Sequence, residues 1–402
     1  MIASAGALSA IPLQFVGTVF AGEILMVPIA FLGLMSTHAI PPQRRIDVAF
    51  ISLLIVAFLA TDLITGNSQE NLLRGVARSG FLLSNFLALN VLCGNSPPRL
   101  ALFLFSYAIC DLFRGLFQPQ FQTLEDFWKF QAGISCTLIA LSFLDSFNHG
   151  RIAVSRCLLA AITMVHLLLN YRSAALVSFV MLLISYLRPA GSMRLKSALH
   201  RAVALLAIVL LLAVFYDLYD TATERFVQRN RGSNAARVAG IVVAIEMISE
   251  SPLIGYGSWV YSAEVVNRVS QRFTSMTGMA YYSSRESMYA SAHSQFLQAW
   301  YEAGIFATPF FLLYFLRHAK SVFLWVRRPE PAFRNALVFL LLLNLWHFLL
   351  SPFSGPQRIT MALGLATALT YIENFSPITS PSVVLMNFPT QRNRSRENSD
   401  CP

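Results

Sequence analysis

Long apolar segments recur along almost the whole of this sequence, and they constrain the fold more than any other feature. A helix needs about 20 mostly apolar residues to cross the hydrocarbon core of a bilayer. Segments close to that length lie at 4–19, 21–37, 47–65, 72–93, 99–117, 130–147, 152–169, 173–187, 199–216, 295–316, 333–351 and 357–373. We therefore predict an all-α, polytopic integral membrane protein with about twelve transmembrane helices.

The composition agrees with a membrane protein. Of the 402 residues, 55% are hydrophobic and 12% are charged, whereas soluble domains are about 25% charged. This excludes a soluble cytosolic enzyme, a secreted disulfide scaffold and a disordered chain. The cysteines lack the spacing of a zinc site, so we expect no such metal. We attribute the net charge of +10 to membrane topology, with membrane lipids as partners and no nucleic acid.

The Lys and Arg residues orient the predicted helices, because cytoplasmic loops are enriched in them. An N-terminus in the cytoplasm places more than half of these residues on the cytoplasmic side. In this topology residues 1–216 hold transmembrane helices 1–9, and residues 217–294 form a periplasmic loop subdomain. Residues 295–374 hold helices 10–12, and residues 375–402 form a disordered cytoplasmic tail. Both termini are then cytoplasmic.

The predicted periplasmic loop contains two short helices, at 236–250 and 258–272. The first places an apolar stripe on one face and ends at Ser251-Pro252. The residues of this stripe are Val238, Ile241, Val242, Ile245 and Ile248. Loops of this length in compact proteins are usually functional or disordered, and the stripe favours a small folded cap over the membrane helices.

Several arginines lie on the predicted outer face, against the usual positive-inside bias. Arg172 occupies a tight turn, Arg237 lies at the start of the loop helix, and Arg74 and Arg78 share one helix face. Guanidinium groups match phosphate oxygens bidentately, so we predict a diphosphate site. The alternative is that each arginine pairs with a nearby acid or reaches lipid headgroups.

Three further ionisable residues need an explanation. His293 lies where the loop enters the tenth predicted helix, and it is either a general base or an ordinary polar residue at a helix start. Glu302 falls on the opposite helix face from His293, so we expect a buried hydrogen bond rather than a catalytic dyad. Glu23 lies in an apolar segment, where an acid is usually functional, or else near an interface.

Four segments together resemble the signature of the O-antigen ligase and polymerase family. Residues 237–257, which contain Pro-Leu-Ile-Gly-Tyr-Gly, and residues 292–304, which contain His-Ser and Glu-Ala-Gly, carry most of the likeness. The Tyr-Arg-Ser-Ala turn at 171–174 resembles the family's Ser-Arg-(Gly/Ser)-Ala element, and Leu-Arg-Gly at 73–75 is similar to a recurrent element. The chain departs from the usual pattern at Ser294, where Asn is commoner, and at Tyr171, where Ser is usual.

The resemblance implies a metal-independent, cofactor-free glycosyltransferase of the bacterial inner membrane, with its active site facing the periplasm. The donor would be a glycan on undecaprenyl pyrophosphate, and the acceptor a hydroxyl of lipid A–core or of another glycan. Arg172 and Arg237 would hold the pyrophosphate, and His293 would orient or deprotonate the acceptor. Further substrate contacts are expected from Arg74, Arg78, Tyr256, Trp259 and Tyr261.

The sequence leaves alternatives within the family and outside it. A single large loop favours an O-antigen ligase, but an O-antigen or exopolysaccharide polymerase or a protein O-oligosaccharyltransferase fits the same residues. A twelve-helix secondary transporter is the main alternative outside the family. Transporters place ionisable residues near the membrane midplane, whereas here the charges concentrate at helix ends and in the outer loops.

Overall fold

The computed structural model describes residues 1–15, 17–35, 41–117, 123–147, 152–187, 224–259, 263–278, 292–327, 333–351, 353 and 357–375. The predicted ninth transmembrane helix at 199–216, the predicted tail after Phe375, and Tyr261 lie outside these residues.

Helices account for most of the described chain. The first nine are α1 (Ile2–Leu8), α2 (Ala21–Met35), α3 (Pro42–Ile64), α4 (Gln69–Cys93), α5 (Pro97–Phe117), α6 (Leu124–Phe127), α7 (Gly133–Phe147), α8 (Ile152–Leu168) and α9 (Arg172–Leu187). The others are α10 (Glu224–Glu250), α11 (Ala263–Thr277), α12 (Gln295–Ala303), α13 (Thr308–Arg327), α14 (Asn335–Leu350) and α15 (Gln357–Phe375). A π-helical turn, Trp128–Ala132, joins α6 to α7, and a 3-10 turn, Ile305–Ala307, precedes α13.

Among the described residues, four helices are long and apolar enough to cross a membrane. They are Pro42–Ile64, Gln69–Cys93, Pro97–Phe117 and Leu124–Ser146. Shorter apolar helices lie at Ala21–Met35, Ala153–Leu168, Arg172–Tyr186 and Asn335–Leu350. The helical membrane-protein class is therefore supported, and the number of twelve transmembrane helices stays a prediction.

The segment 4–19 does not form the first transmembrane helix that its hydropathy predicts. The short helix α1 is followed by an antiparallel hairpin of β1 (Pro12–Gln14) and β2 (Thr18–Phe20). Proline removes a backbone donor and obstructs a continuing helix, so Pro12 ends the helical run. The α1 helix packs against α5, and α2 begins directly after the hairpin.

The single helix expected at 295–316 is also interrupted. Gly304 ends α12 with φ 68°, a left-handed conformation that glycine adopts without steric cost. The chain then makes the 3-10 turn and restarts as α13 at Thr308. The longer helix in this region is α13, which is displaced toward the C-terminus from the predicted position and is not among the helices apolar enough to cross a membrane.

The helices α14 and α15 form the centre of the bundle. Almost every residue of α15 is buried, and α14 is buried from Ala336 to Asn344. Helices α13, α4 and α7 pack around this pair. At the periphery, apolar side chains such as Phe31 on α2 and Val56 on α3 are more than half exposed, as expected for lipid-facing positions.

Two buried ion pairs connect α15 to distant helices inside the bundle. Arg358 on α15 donates to Glu23 on α2 at 2.8 and 2.5 Å, and the same carboxylate accepts from Asn85 at 3.1 Å. Arg44 at the start of α3 donates to Glu373 at the end of α15 at 3.0 and 2.8 Å. Glu23 is thus a fully paired acid that fixes α2 against α15.

Helices α10, α11 and α12 enclose a small hydrophobic core of their own. It contains Ala239, Val243, Ala244, Met247, Ile248, Val265, Val269 and Phe273. The predicted apolar stripe does not match the buried face of α10. Val238 and Ile245 are about half exposed, and of the five stripe residues only Ile248 belongs to this core. The buried face of α10 instead carries Ala239, Val243, Ala244 and Met247, and α11 packs against this helix.

Candidate functional site

The turn between α8 and α9 fixes the first predicted site residue, Arg172. Asn170 adopts φ 54°, a left-handed conformation that asparagine tolerates better than most residues. The backbone N–H of Tyr171 then donates to the carbonyl of His166 at 2.7 Å. Arg172 follows as the first residue of α9, where the helix N-terminus adds positive potential to its own charge.

Arg237 on α10 lies within electrostatic reach of that turn. Burial lowers the pKa of Arg237 from its usual value, and the positive charge of Arg172 lowers it further. The nearby Tyr171 hydroxyl acts in the opposite direction. Two guanidinium groups that repel each other in half-buried surroundings would both be stabilised by an anion, and a diphosphate site here stays a prediction.

His293 completes the group. Its backbone has φ 45°, and it directly precedes α12, whose N-cap is Ser294. Burial lowers the pKa of His293 to about 4, and the charge of Arg237 contributes to the same shift. The imidazole is therefore neutral near pH 7, which is the form that can accept a proton.

The structure thus brings together the three predicted catalytic residues. Arg237 is the common neighbour of the other two. Its charge lowers the pKa of His293, and the charge of Arg172 lowers the pKa of Arg237. The three residues come from the start of α9, the middle of α10 and the residue before the N-cap of α12. Among the described residues, no group of three or more His, Cys, Asp or Glu side chains could hold a metal ion.

Arg78 occupies a different, closed environment. Its side chain is 1% exposed and forms an ion pair with Glu302, which is equally buried. Its guanidinium donates to the Phe353 carbonyl at 3.2 Å and lies 4.7 Å from the centroids of the Phe58 and Phe353 rings. Glu302 also accepts from Gln298 at 2.9 Å. These contacts give Arg78 a role in joining helices, and its substrate contact stays a prediction.

Arg74, one turn before Arg78, does not share its environment. It pairs with Glu70 on the surface of α4, and its side chain is 30% exposed. The two arginines therefore lie on one helix face but at different depths. The guanidinium of Arg74 is partly exposed, whereas that of Arg78 is buried against Glu302, and the substrate contact of Arg74 stays a prediction.

The family model described as O-Antigen ligase matches residues 157–312. This match confirms the resemblance to the O-antigen ligase and polymerase family. The matched segment contains Arg172, Arg237 and His293, and it implies a glycosyltransferase-like enzyme with lipid-linked glycan substrates. A search of the curated proteins found no match.

Glycines allow the two segments that carry most of the family resemblance to pack closely against each other. Gly255 has φ 83°, and a Cβ added there would lie 2.7 Å from the backbone nitrogen of Gly304. A Cβ on Gly304 would lie 2.0 Å from the Leu253 carbonyl oxygen. The backbone nitrogens of Tyr256 and Gly257 donate to the Tyr301 and Glu302 carbonyls, each at 2.8 Å. The Pro-Leu-Ile-Gly-Tyr-Gly segment is therefore held against the C-terminal end of α12.

The departure at Ser294 has a simple physical explanation. Its hydroxyl accepts from the backbone nitrogen of Leu297 at 3.3 Å and donates to the Phe348 carbonyl at 3.1 Å. Serine and asparagine are both good N-cap residues. The substitution therefore preserves the start of α12 and, with it, the placement of the preceding histidine.

The two described loop aromatics do not stand free for stacking. Tyr256 donates its hydroxyl to Glu250 at 2.9 Å, and the Trp259 indole lies 5.3 Å from the guanidinium of Arg78. Trp259 also has a left-handed backbone, φ 53°. Their contact with substrate sugars stays a prediction, as does that of Tyr261.

Sequence reasoning missed the residues that hold the loop to the bundle. Asp62, fully buried near the end of α3, accepts from the Ser258 backbone nitrogen at 2.5 Å and from Asn67 at 2.8 Å. Asn67 also donates to the Ser258 carbonyl at 2.7 Å, and Thr61 donates to the Ile254 carbonyl at 2.8 Å. Asp62 is an acid in an apolar helix, as Glu23 is, and this is the sequence signal that could have identified it.

Proposed function

We propose that this protein is an O-antigen ligase of the bacterial inner membrane. It transfers a glycan from undecaprenyl pyrophosphate to a hydroxyl of lipid A–core at the periplasmic face. The observation that supports this most is the convergence of Arg172, Arg237 and a neutral His293 within the segment that matches the family.

The two arginines provide the leaving-group site. A diphosphate carries several negative charges, and two guanidinium groups in half-buried surroundings bind it through charge-assisted, bidentate hydrogen bonds. As the glycosidic bond to the diphosphate breaks, negative charge grows on the leaving oxygen. Arg172 and Arg237 stabilise that charge without rearranging, because the α8–α9 turn and α10 already hold them in position.

His293 serves the acceptor. Its neutral imidazole takes the proton of the acceptor hydroxyl as the new glycosidic bond forms. The oxygen attacks the anomeric carbon from the side opposite the diphosphate, so the configuration at that carbon inverts. No metal ion and no cofactor take part in this scheme.

The membrane orientation is part of the same proposal. The donor is presented at the outer face, so the α10–α12 segment must be periplasmic and both termini cytoplasmic. Reporter fusions near residues 194 and 325 should then report the cytoplasm, and fusions within 220–290 the periplasm. A cytoplasmic signal from 220–290 would rule out a donor presented at the outer face.

A polymerase of the same family uses the same residues but extends the glycan. Gene deletion followed by gel analysis of surface lipopolysaccharide separates the two. Loss of a ligase leaves bare core and a pool of long polyprenyl-linked glycan. Core that carries a single repeat would show that ligation continues and that a polymerase was lost. An unchanged ladder would contradict both assignments to O-antigen.

A further inference from the structure

The α6–α7 junction contains a π-helical turn, Trp128–Ala132. Such turns insert one extra residue into a helix and occur frequently at functional sites. Here the turn directs two side chains into the bundle. Gln131 donates to Asp111 on α5, at 2.8 Å to its carbonyl and 3.1 Å to its carboxylate. Trp128 donates its indole N–H to Nδ1 of His166 at 3.0 Å.

These contacts fix one tautomer of His166, which is fully buried on α8. Since Nδ1 accepts from Trp128, the proton lies on Nε2, which donates to the Thr137 hydroxyl at 2.8 Å. That hydroxyl in turn donates to the Gly133 carbonyl at 2.8 Å. Both ring nitrogens are used, so the imidazole plane is held from two sides.

The fixed imidazole supports the turn that carries Arg172. The ring of Tyr171 meets the His166 ring edge-on, at 5.5 Å between centroids and 90° between planes. The His166 carbonyl accepts from the Tyr171 backbone at 2.7 Å. A Cβ on Gly133 would lie 2.9 Å from the Tyr171 ring, so a glycine is needed where α7 meets this side chain.

We propose that Trp128 and His166 are positioning residues for Arg172. They hold Tyr171 in one place through its ring and its backbone, and Tyr171 in turn fixes the start of α9, of which Arg172 is the first residue. The π-helical turn is the device that brings the indole into register with His166. This inference rests on the proposed function, because it assumes that Arg172 binds the donor diphosphate.

Equilibrium binding of undecaprenyl pyrophosphate to the purified full-length protein tests this proposal without requiring turnover. Trp128→Phe removes the indole donor and keeps an aromatic ring, and it should weaken binding about tenfold, because small misplacements of a binding group are costly. In an Arg172→Ala background the same change should have less than about a twofold effect. Trp346→Phe, a partly buried tryptophan packed on the bundle core, is the matched control and should bind like wild type.

The double-mutant cycle separates positioning from general stability. If Trp128→Phe weakens binding equally with and without Arg172, the effect does not pass through that arginine and the proposal is wrong. Wild-type binding by Trp128→Phe, with Arg172→Ala defective, would also overturn it while leaving the proposed function intact. If Arg172→Ala itself binds normally, Arg172 does not bind the donor diphosphate, and the proposed function is contradicted together with this inference.

His166 provides a second, independent variant. His166→Asn can keep an acceptor near the Nδ1 position, whereas His166→Leu cannot. We expect His166→Leu to weaken binding at least as much as Trp128→Phe, and His166→Asn to recover part of that loss. Equal binding by the two variants would show that the hydrogen bond from Trp128 does not matter.

Discussion

The buried pair Arg78–Glu302 makes a sharp prediction about stability. Glu302→Gln keeps the shape of the side chain and removes its charge, so Arg78 becomes an unpaired cation with 1% of its side chain exposed. Breaking a buried ion pair by removing one partner typically costs about 3–5 kcal/mol. Arg78 keeps its bond to the Phe353 carbonyl and its three neighbouring aromatic rings, which offset part of the loss. We therefore expect about 3 kcal/mol.

For a protein of this size that loss corresponds to a fall in Tm of about 6 °C, at roughly 2 °C per kcal/mol. Thermal unfolding of the detergent-purified protein, followed by the fraction that stays monodisperse, measures the shift. Glu70→Gln is the matched control, because its pair with Arg74 is exposed and surface pairs contribute only about 0–1 kcal/mol.

Removing both charges should restore part of the lost stability, because the unpaired cation is then absent. The variant for this is Arg78→Met with Glu302→Gln. If Glu302→Gln unfolds like wild type but loses glycan transfer, the pair acts in the reaction and its structural role is wrong. If the double variant is less stable than Glu302→Gln, the unpaired charge is not the source of the loss.

Three further outcomes follow from the site. Burial and the charge of Arg237 lower the pKa of His293 from 6.5 to about 4. The rate of glycan transfer should therefore stay nearly constant as the pH falls from 7.5 to about 5. A decline centred near pH 6.5 would mean that the pKa of this histidine is not shifted. Gly304→Ala should abolish accumulation of folded protein, since its Cβ would lie 2.0 Å from the Leu253 carbonyl oxygen; normal accumulation would show that the segment tolerates a shift. EDTA should leave the activity of purified enzyme unchanged. Loss of activity in EDTA, followed by recovery with one particular divalent ion, would contradict the metal-free scheme.

Hydropathy predicted most of the described helices well, because a bilayer dictates both their length and their apolar character. The segments 99–117 and 173–187, for example, correspond to α5 and α9 within two residues. It was wrong at 4–19 and within 295–316, where Pro12 and Gly304 interrupt apolar runs. Backbone conformation determines where the helix is interrupted at these two positions, and a hydropathy pattern contains no information about it.

The candidate site also divides into residues that local sequence patterns can indicate and residues that they cannot. Arg172, Arg237 and His293 could be proposed as catalytic from the sequence because each lies in a short signature whose spacing is local, and their catalytic role stays a prediction. Trp128 and His166 could not, because the contact between them joins helices 38 residues apart and depends on a π-helical turn. A fully buried histidine in an apolar helix resembles ordinary core until its two hydrogen-bond partners are known.

Reconstituted transfer tests the central claim most directly. Purified protein is given a glycan on undecaprenyl pyrophosphate together with lipid A–core, and the linked product is measured for wild type and single variants. Arg237→Ala should lose at least about 10²-fold, because hydrogen bonds to charge are worth about 1.5–3 kcal/mol each. The matched control is Arg272→Ala, which removes an exposed arginine paired with Glu246 on the same α10–α11 segment.

The account predicts full transfer by Arg272→Ala and almost none by Arg237→Ala, with equal amounts of folded protein. Transfer by Arg237→Ala at the wild-type rate would contradict it, because the anion site between Arg172 and Arg237 would then have no part in the reaction.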